Sequence, residues 1–183
     1  MSDETERLRE LDAVRDEVAD AFQGLSMPQA GLRTGPGWAP LDDLRHLTLS
    51  VFATTRGFQL AGAELDRRFG AAEGPGRGRA ELGRVAMAGL EAGGAASEAI
   101  TPPPLSPEEA TDATRDRCIS EWRDACDRFR GAVSAWSDAA LDRHRFPHPF
   151  LGLFTLREWV DFHVLHASHH LRGSARRGKR PGG

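Results

Sequence analysis

The sequence predicts an all-α protein, an up-down-down-up four-helix bundle with a long crossover between helices 2 and 3. Three observations predict it. Apolar residues recur at threes and fours along separate long stretches. Two Ser/Thr-x-x-Glu boxes, at Ser106 to Glu109 and Thr155 to Glu158, mark helix starts. No strand-like alternation of useful length, Gly-x-Gly-x-x-Gly, phosphate loop or Gly-x-Ser-x-Gly elbow occurs. At 183 residues the chain is one domain, long enough to bury a core without disulfides or repeats. The bundle is expected over residues 1–176, with a disordered basic tail over 177–183 and fraying from Arg172 onward.

The first helix, from Glu4 to about Leu25, carries Leu8, Leu11, Val18, Phe22 and Leu25 on one stripe between charges. Pro28, Gly31, Gly35, Pro36 and Gly37 then make a loop ending in Trp38. A second helix is expected from Pro40 to about Phe69, proline taking the first turn and Asp42 and Asp43 its positive end. Its main stripe is Leu44, Leu47, Val51, Thr55, Phe58, Gly62, Leu65 and Phe69. His46 lies nearly opposite, in line with Leu49, Ala53, Gly57 and Leu60, and periodicity leaves open whether it is interior.

Residues 70–105 are rich in Gly, Ala and Pro and form the crossover, with one short helix at about 79–92. The third long helix starts at Ser106, with Pro107 in its first turn, and runs to about Trp136. Ile119, Trp122, Cys126, Phe129, Val133 and Trp136 form its core stripe, which offers no metal ligand. Cys118 and Cys126 lie about 12 Å apart along that helix and are too distant to bond. Residues 137–154 are expected as a connection containing Pro147 and Pro149.

Composition narrows the function classes. A net charge of −3 gives no footprint for nucleic acid, and no apolar run spans a bilayer. The acidic start, Met-Ser-Asp-Glu, is unlike a secretory signal, so a cytoplasmic location and a small-molecule substrate are expected, with neither nucleic acid nor membrane as partner.

The fourth helix, opened by the Thr155 box, holds His163, His166, His169 and His170, four of seven histidines. Trp159, His163, His166 and His170 fall within about 60° of one face. His166 and His170, four apart, can reach a single cation. Buried hydrogen-bonded histidines and a solvated cationic helix end fit the same segment, and the spacing alone does not choose among the three. A glutamate after the first histidine is missing, which rules out the His-Glu-x-x-His metalloprotease pattern.

Two segments carry a family resemblance: Gly37-Trp38-Ala39-Pro40 leading through Asp42 and Asp43 to His46, and His148-Pro149-Phe150-Leu151-Gly152 leading through Trp159 to His166 and His170. In these the chain resembles the DinB/YfiT-like family of metal-dependent enzymes, single-domain four-helix bundles with a long connection between helices 2 and 3. The resemblance implies a three-histidine metal site of His46, His166 and His170. It implies a divalent ion, zinc foremost, with nickel, iron(II) or cobalt also suited to imidazole donors.

It further implies a transferase acting through a low-molecular-weight thiol of the mycothiol or bacillithiol type. A metal-dependent hydrolase and a non-catalytic, stress-associated metal-binding bundle are the alternatives, and the protein is a possible homodimer. His163 is the candidate general base or pocket residue, and Trp38, Trp122 and Phe162 join it as expected lining. His169 is expected in an outer or surface position. Many members carry Gln three residues after the last ligand; Gly173 stands there in this chain and has no side chain to replace it.

Overall fold

The computed structural model describes residues 3–27, 30–33 and 37–178. Pro28, Gly35 and Pro36 of the expected loop and residues 179–183 of the expected tail lie outside the described residues. Helices α1 (Asp3–Gln23), α2 (Pro40–Phe58), α3 (Gly62–Phe69), α4 (Arg79–Glu91), α5 (Asp112–Ser134), α6 (Asp138–Arg143) and α7 (Leu156–Gly178) are joined by one short hairpin of β1 (Arg145–His148) and β2 (Gly152–Thr155).

The bundle is built from α1, α2, α5 and α7, with α1 and α2 each packed against both α5 and α7. Side-chain pairs give the directions. Arg15 meets Asp127 and Gln23 meets Asp116, so α1 and α5 are antiparallel. Asp43 pairs with His170 and His46 with His166, so α2 and α7 are antiparallel too. Phe58 packs on Phe129 while the Arg45 charge reaches Cys118, which makes α2 and α5 parallel. The result is the up-down-down-up order expected. Val18, Phe22, Leu44, Leu47, Trp122, Phe129 and Val160 meet in one core, whose burial is the main stabilising term.

Four expectations are corrected. The second helix does not run unbroken to Phe69: it stops at Phe58 and restarts as α3 after Ala61, which is extended at φ −64°, ψ 143°. The break lets the ring of Phe146 lie against Gly57, where an added Cβ would stand 2.4 Å from it. The Phe58 carbonyl, released from the helix ladder, accepts from Trp136 Nε1 at 3.1 Å, so the interruption leaves no buried orphan there.

The third long helix begins at Asp112 rather than Ser106. The Ser106 box does form, Ser106 N donating to Glu109 and Glu109 N to Ser106 Oγ, but it closes a single turn. Thr111, extended at φ −117°, then caps α5 by accepting from Thr114 N. Residues 137–154 are not a plain connection, since α6 and the hairpin occupy them. In the hairpin Phe146 faces Phe154 and His148 faces Gly152, whose φ of +82° favours glycine. Finally, α7 continues past Arg172 and residue 176 to Gly178.

The crossover is tied down over the α2/α7 face. Arg33 and Arg45 both bind Asp42 and donate to the carbonyls of Pro102 and Pro103. Arg77 is held by Glu158, the carboxylate of the Thr155 box. These anchors fix the turn Glu98–Ile100 above His46. Among the described residues no helix is long and apolar enough to cross a membrane.

Candidate metal centre

Helix α2 buries two faces. One is the apolar stripe; the other holds Asp43, His46, Ser50 and Thr54, spaced by threes and fours and each less than a tenth exposed. This polar stripe faces α7, which presents Trp159, His163, His166 and His170 in return. His46, left open by periodicity, is interior.

His46 Nε2 and His170 Nε2 lie 3.2 and 3.1 Å from His166 Nε2. All three histidines offer ligand atoms within 4.8 Å of one another, a group that could hold a metal ion. Zinc–nitrogen arms of about 2.0–2.1 Å set tetrahedral ligand atoms about 3.3 Å apart, close to the two spacings seen.

The outer hydrogen bonds define the tautomers. His46 Nδ1 donates to the Ile100 carbonyl at 2.7 Å, and a carbonyl can only accept. His170 Nδ1 donates to Asp43 Oδ1 at 3.0 Å, and Ser174 Oγ donates to the other oxygen of that carboxylate. Both Nε2 atoms therefore carry lone pairs directed at His166 Nε2. One proton there serves two acceptors poorly, whereas a cation satisfies all three, so the donor set fits a metal. His166 Nδ1 is buried without a partner among the described residues.

Burial pushes His46 down to about 4, opposed in part by its hydrogen bond to Ile100. It pushes His170 to about 4 and His166 well below the usual histidine range, the latter helped by its neighbours' charge. All three are neutral near pH 7, the form that ligates. Trp38 closes one side, its ring 4.9 Å from His46 and stacked at 6.2 Å on His170, and Phe162 stacks on His166 at 5.1 Å.

A cavity of about 410 Å³ opens beside the triad, within the range of small-molecule sites. Trp38, Phe162 and His163 are among the residues that line it. Trp122 does not: it is buried against α1, its indole Nε1 donating to the Arg15 carbonyl at 2.9 Å. His163 stacks on Trp159 with Phe129 edge-on, and burial pushes it down to about 3, which makes it a weak base. His169, expected in an outer or surface position, is exposed and also lines the cavity.

Sequence reasoning missed Asp43 as the orienting carboxylate, the Ile100 carbonyl, Ser174, and His148, which the hairpin seats against Phe162 and Trp159. A signal existed for Asp43 alone, one turn before His46 on the same face.

Fold and site together define an up-down-down-up helical bundle with a histidine-built candidate metal centre between α2 and α7. The chain belongs to the DinB superfamily, whose model matches residues 10–172. Among solved structures it is similar to YfiT from Bacillus subtilis, a probable metal-dependent hydrolase with an unusual four-helix bundle topology. That likeness has a TM-score of 0.61 at 15% identity over 98% of this chain and 89% of that one, and it bears on the fold. No curated protein matches the chain.

Proposed function

We propose that this protein is a metal-dependent transferase acting through a low-molecular-weight thiol of the mycothiol or bacillithiol type. The observation that carries the reading is the convergence of His46, His166 and His170 at the wall of a cavity of about 410 Å³. Three imidazoles leave coordination positions for a reactant, unlike a closed four-ligand structural site. A bound divalent ion supplies Lewis-acid chemistry, lowering the pKa of a thiol or water held beside it.

The chain's own residues do the rest. Asp43 and the Ile100 carbonyl hold two of the imidazoles in the ligating tautomer. Trp38 and Phe162 wall the triad. One feature supports a thiol over water as nucleophile: among the described residues no carboxylate lines the cavity, and the nearby Glu158 and Asp161 are engaged by Arg77 and Arg79. Water needs a partner for its proton, while a thiol of pKa about 8–9 ionises with little help. The likeness to YfiT favours the rival reading, a metal-dependent hydrolase.

The test is turnover of zinc-loaded protein with mycothiol or bacillithiol and 1-chloro-2,4-dinitrobenzene, beside an ester panel without thiol. The expected result is thiol-dependent conjugation that His166→Ala abolishes. Ester cleavage without thiol transfers the assignment to the hydrolase. Metal binding with no turnover on either panel leaves a non-catalytic bundle.

A further inference from the structure

We infer that the cavity beside the triad takes an apolar small molecule carrying one anionic group, and that Arg172 at the cavity wall receives the anion. The inference deepens the reading of this cavity as the substrate site and rests on it.

Among the described residues Arg172 is the only Arg or Lys lining the cavity, and no Asp or Glu lines it. Among the described residues it has no carboxylate partner. Four other arginines around this face are engaged: Arg33 and Arg45 by Asp42, Arg77 by Glu158, Arg79 by Glu10 and Asp161. An unpaired guanidinium on a wall free of acids favours one negative group and disfavours a cationic ligand.

The remaining wall is largely apolar. Met87 (47% exposed), Leu90 (42%) and Phe150 (39%) belong to it, three of the four large apolar side chains left exposed among the described residues. Such side chains gathered at one concavity, rather than scattered, mark a place where apolar ligand surface is received. The wall is also built closely. A Cβ at Gly89 would stand 2.3 Å from Leu151, and one at Gly94 would stand 2.5 Å from Phe150. Only glycine at those two positions lets the hairpin tip seat against α4 and the segment after it, closing the cavity on that side.

Two probes with the same aromatic body test the inference: 8-anilinonaphthalene-1-sulfonate and its uncharged counterpart N-phenyl-1-naphthylamine. Both are titrated by fluorescence into folded protein, metal-free and zinc-loaded. Wild type should bind both. Arg172→Gln should raise the sulfonate's Kd about tenfold and leave the amine's unchanged, as expected for loss of one charge-assisted contact. Ala86→Trp, which fills the cavity, should remove both. Gly83→Leu is the second filler if the first fails to fold, since a Cβ there meets only Leu165, at 3.9 Å.

Failure of wild type to bind either probe overturns the inference. So does an equal effect of Arg172→Gln on both probes or on neither, or binding that survives the fillers. Discrimination by Arg172 that persists in the metal-free protein, in a chain without thiol-dependent turnover, supports this inference while the transferase reading falls.

Discussion

Asp43 sits in the first turn of α2, where its charge complements the helix dipole, yet its carboxylate is directed at His170 Nδ1 and Ser174. A carboxylate in that role fixes a ligand's tautomer and raises its basicity. Asp43→Asn is expected to weaken metal affinity about 10–100-fold, read by competition with a chromogenic chelator. An unchanged affinity shows that the carboxylate orients nothing that matters. His148, further down the cavity, is pushed to about 4 by burial alone. The unfolded chain protonates it below about 6.5 while the folded protein resists until about 4. Stability is therefore full above about pH 6.5 and declines as pH falls toward 4, by on the order of 3 kcal/mol for this one group. Denaturant melts at pH 7 and pH 4.5 should show the decline, and His148→Phe should lessen it by this one group's share, since burial depresses His46, His163, His166 and His170 as well. The sequence made His166 and His170 legible through their spacing, but Asp43 read there only as a charge at the positive end of its helix, and Ser50 carried no signal. Their burial comes from α7 lying across them.

Individual helices were legible wherever a stripe and a cap agreed. The Thr155 box is the clearest case: Glu158 accepts from Thr155 N and, from across the crossover, from Arg77 N and Nε. Glu158→Gln removes the charge from a carboxylate only 3% exposed and strands the guanidinium of Arg77. A loss of about 2–4 kcal/mol in urea unfolding is expected. A loss under 0.5 kcal/mol would place the anchor elsewhere. The hairpin was invisible because strands of four residues carry too little periodicity to register. The break after Phe58 was hidden for a different reason: Leu65 continues the stripe of α2 and is fully buried, so the apolar pattern persists although the backbone does not. Gly57 and Gly62 were the available signal, and a Cβ at each would collide, with Phe146 and His144 respectively.

On the scale of the molecule, the triad joins α2 to α7 through His46 and His166, which are 120 positions apart in the chain. An ion bound only by the folded arrangement stabilises it by mass action. Zinc at a hundred times its Kd should add about 2.7 kcal/mol. For a domain of 183 residues that is a rise in Tm of about 5–10 °C. Differential scanning fluorimetry of metal-free protein with and without zinc reads this, and His166→Ala should show no rise. An equal rise in that variant would put the ion somewhere other than the triad.

The sequence by itself determined that the protein is helical, where its long apolar stripes run, and which helix carries the histidine pair. Those properties follow from spacings of three and four residues, which any short window displays. Only the tertiary structure decided that His46, which the family resemblance had joined to that pair, is interior beside it, that Trp122 does not reach the cavity, and that a polar stripe of α2 is interior. Each of these depends on which helix lies against which, and that relation is set by packing between residues far apart in the chain.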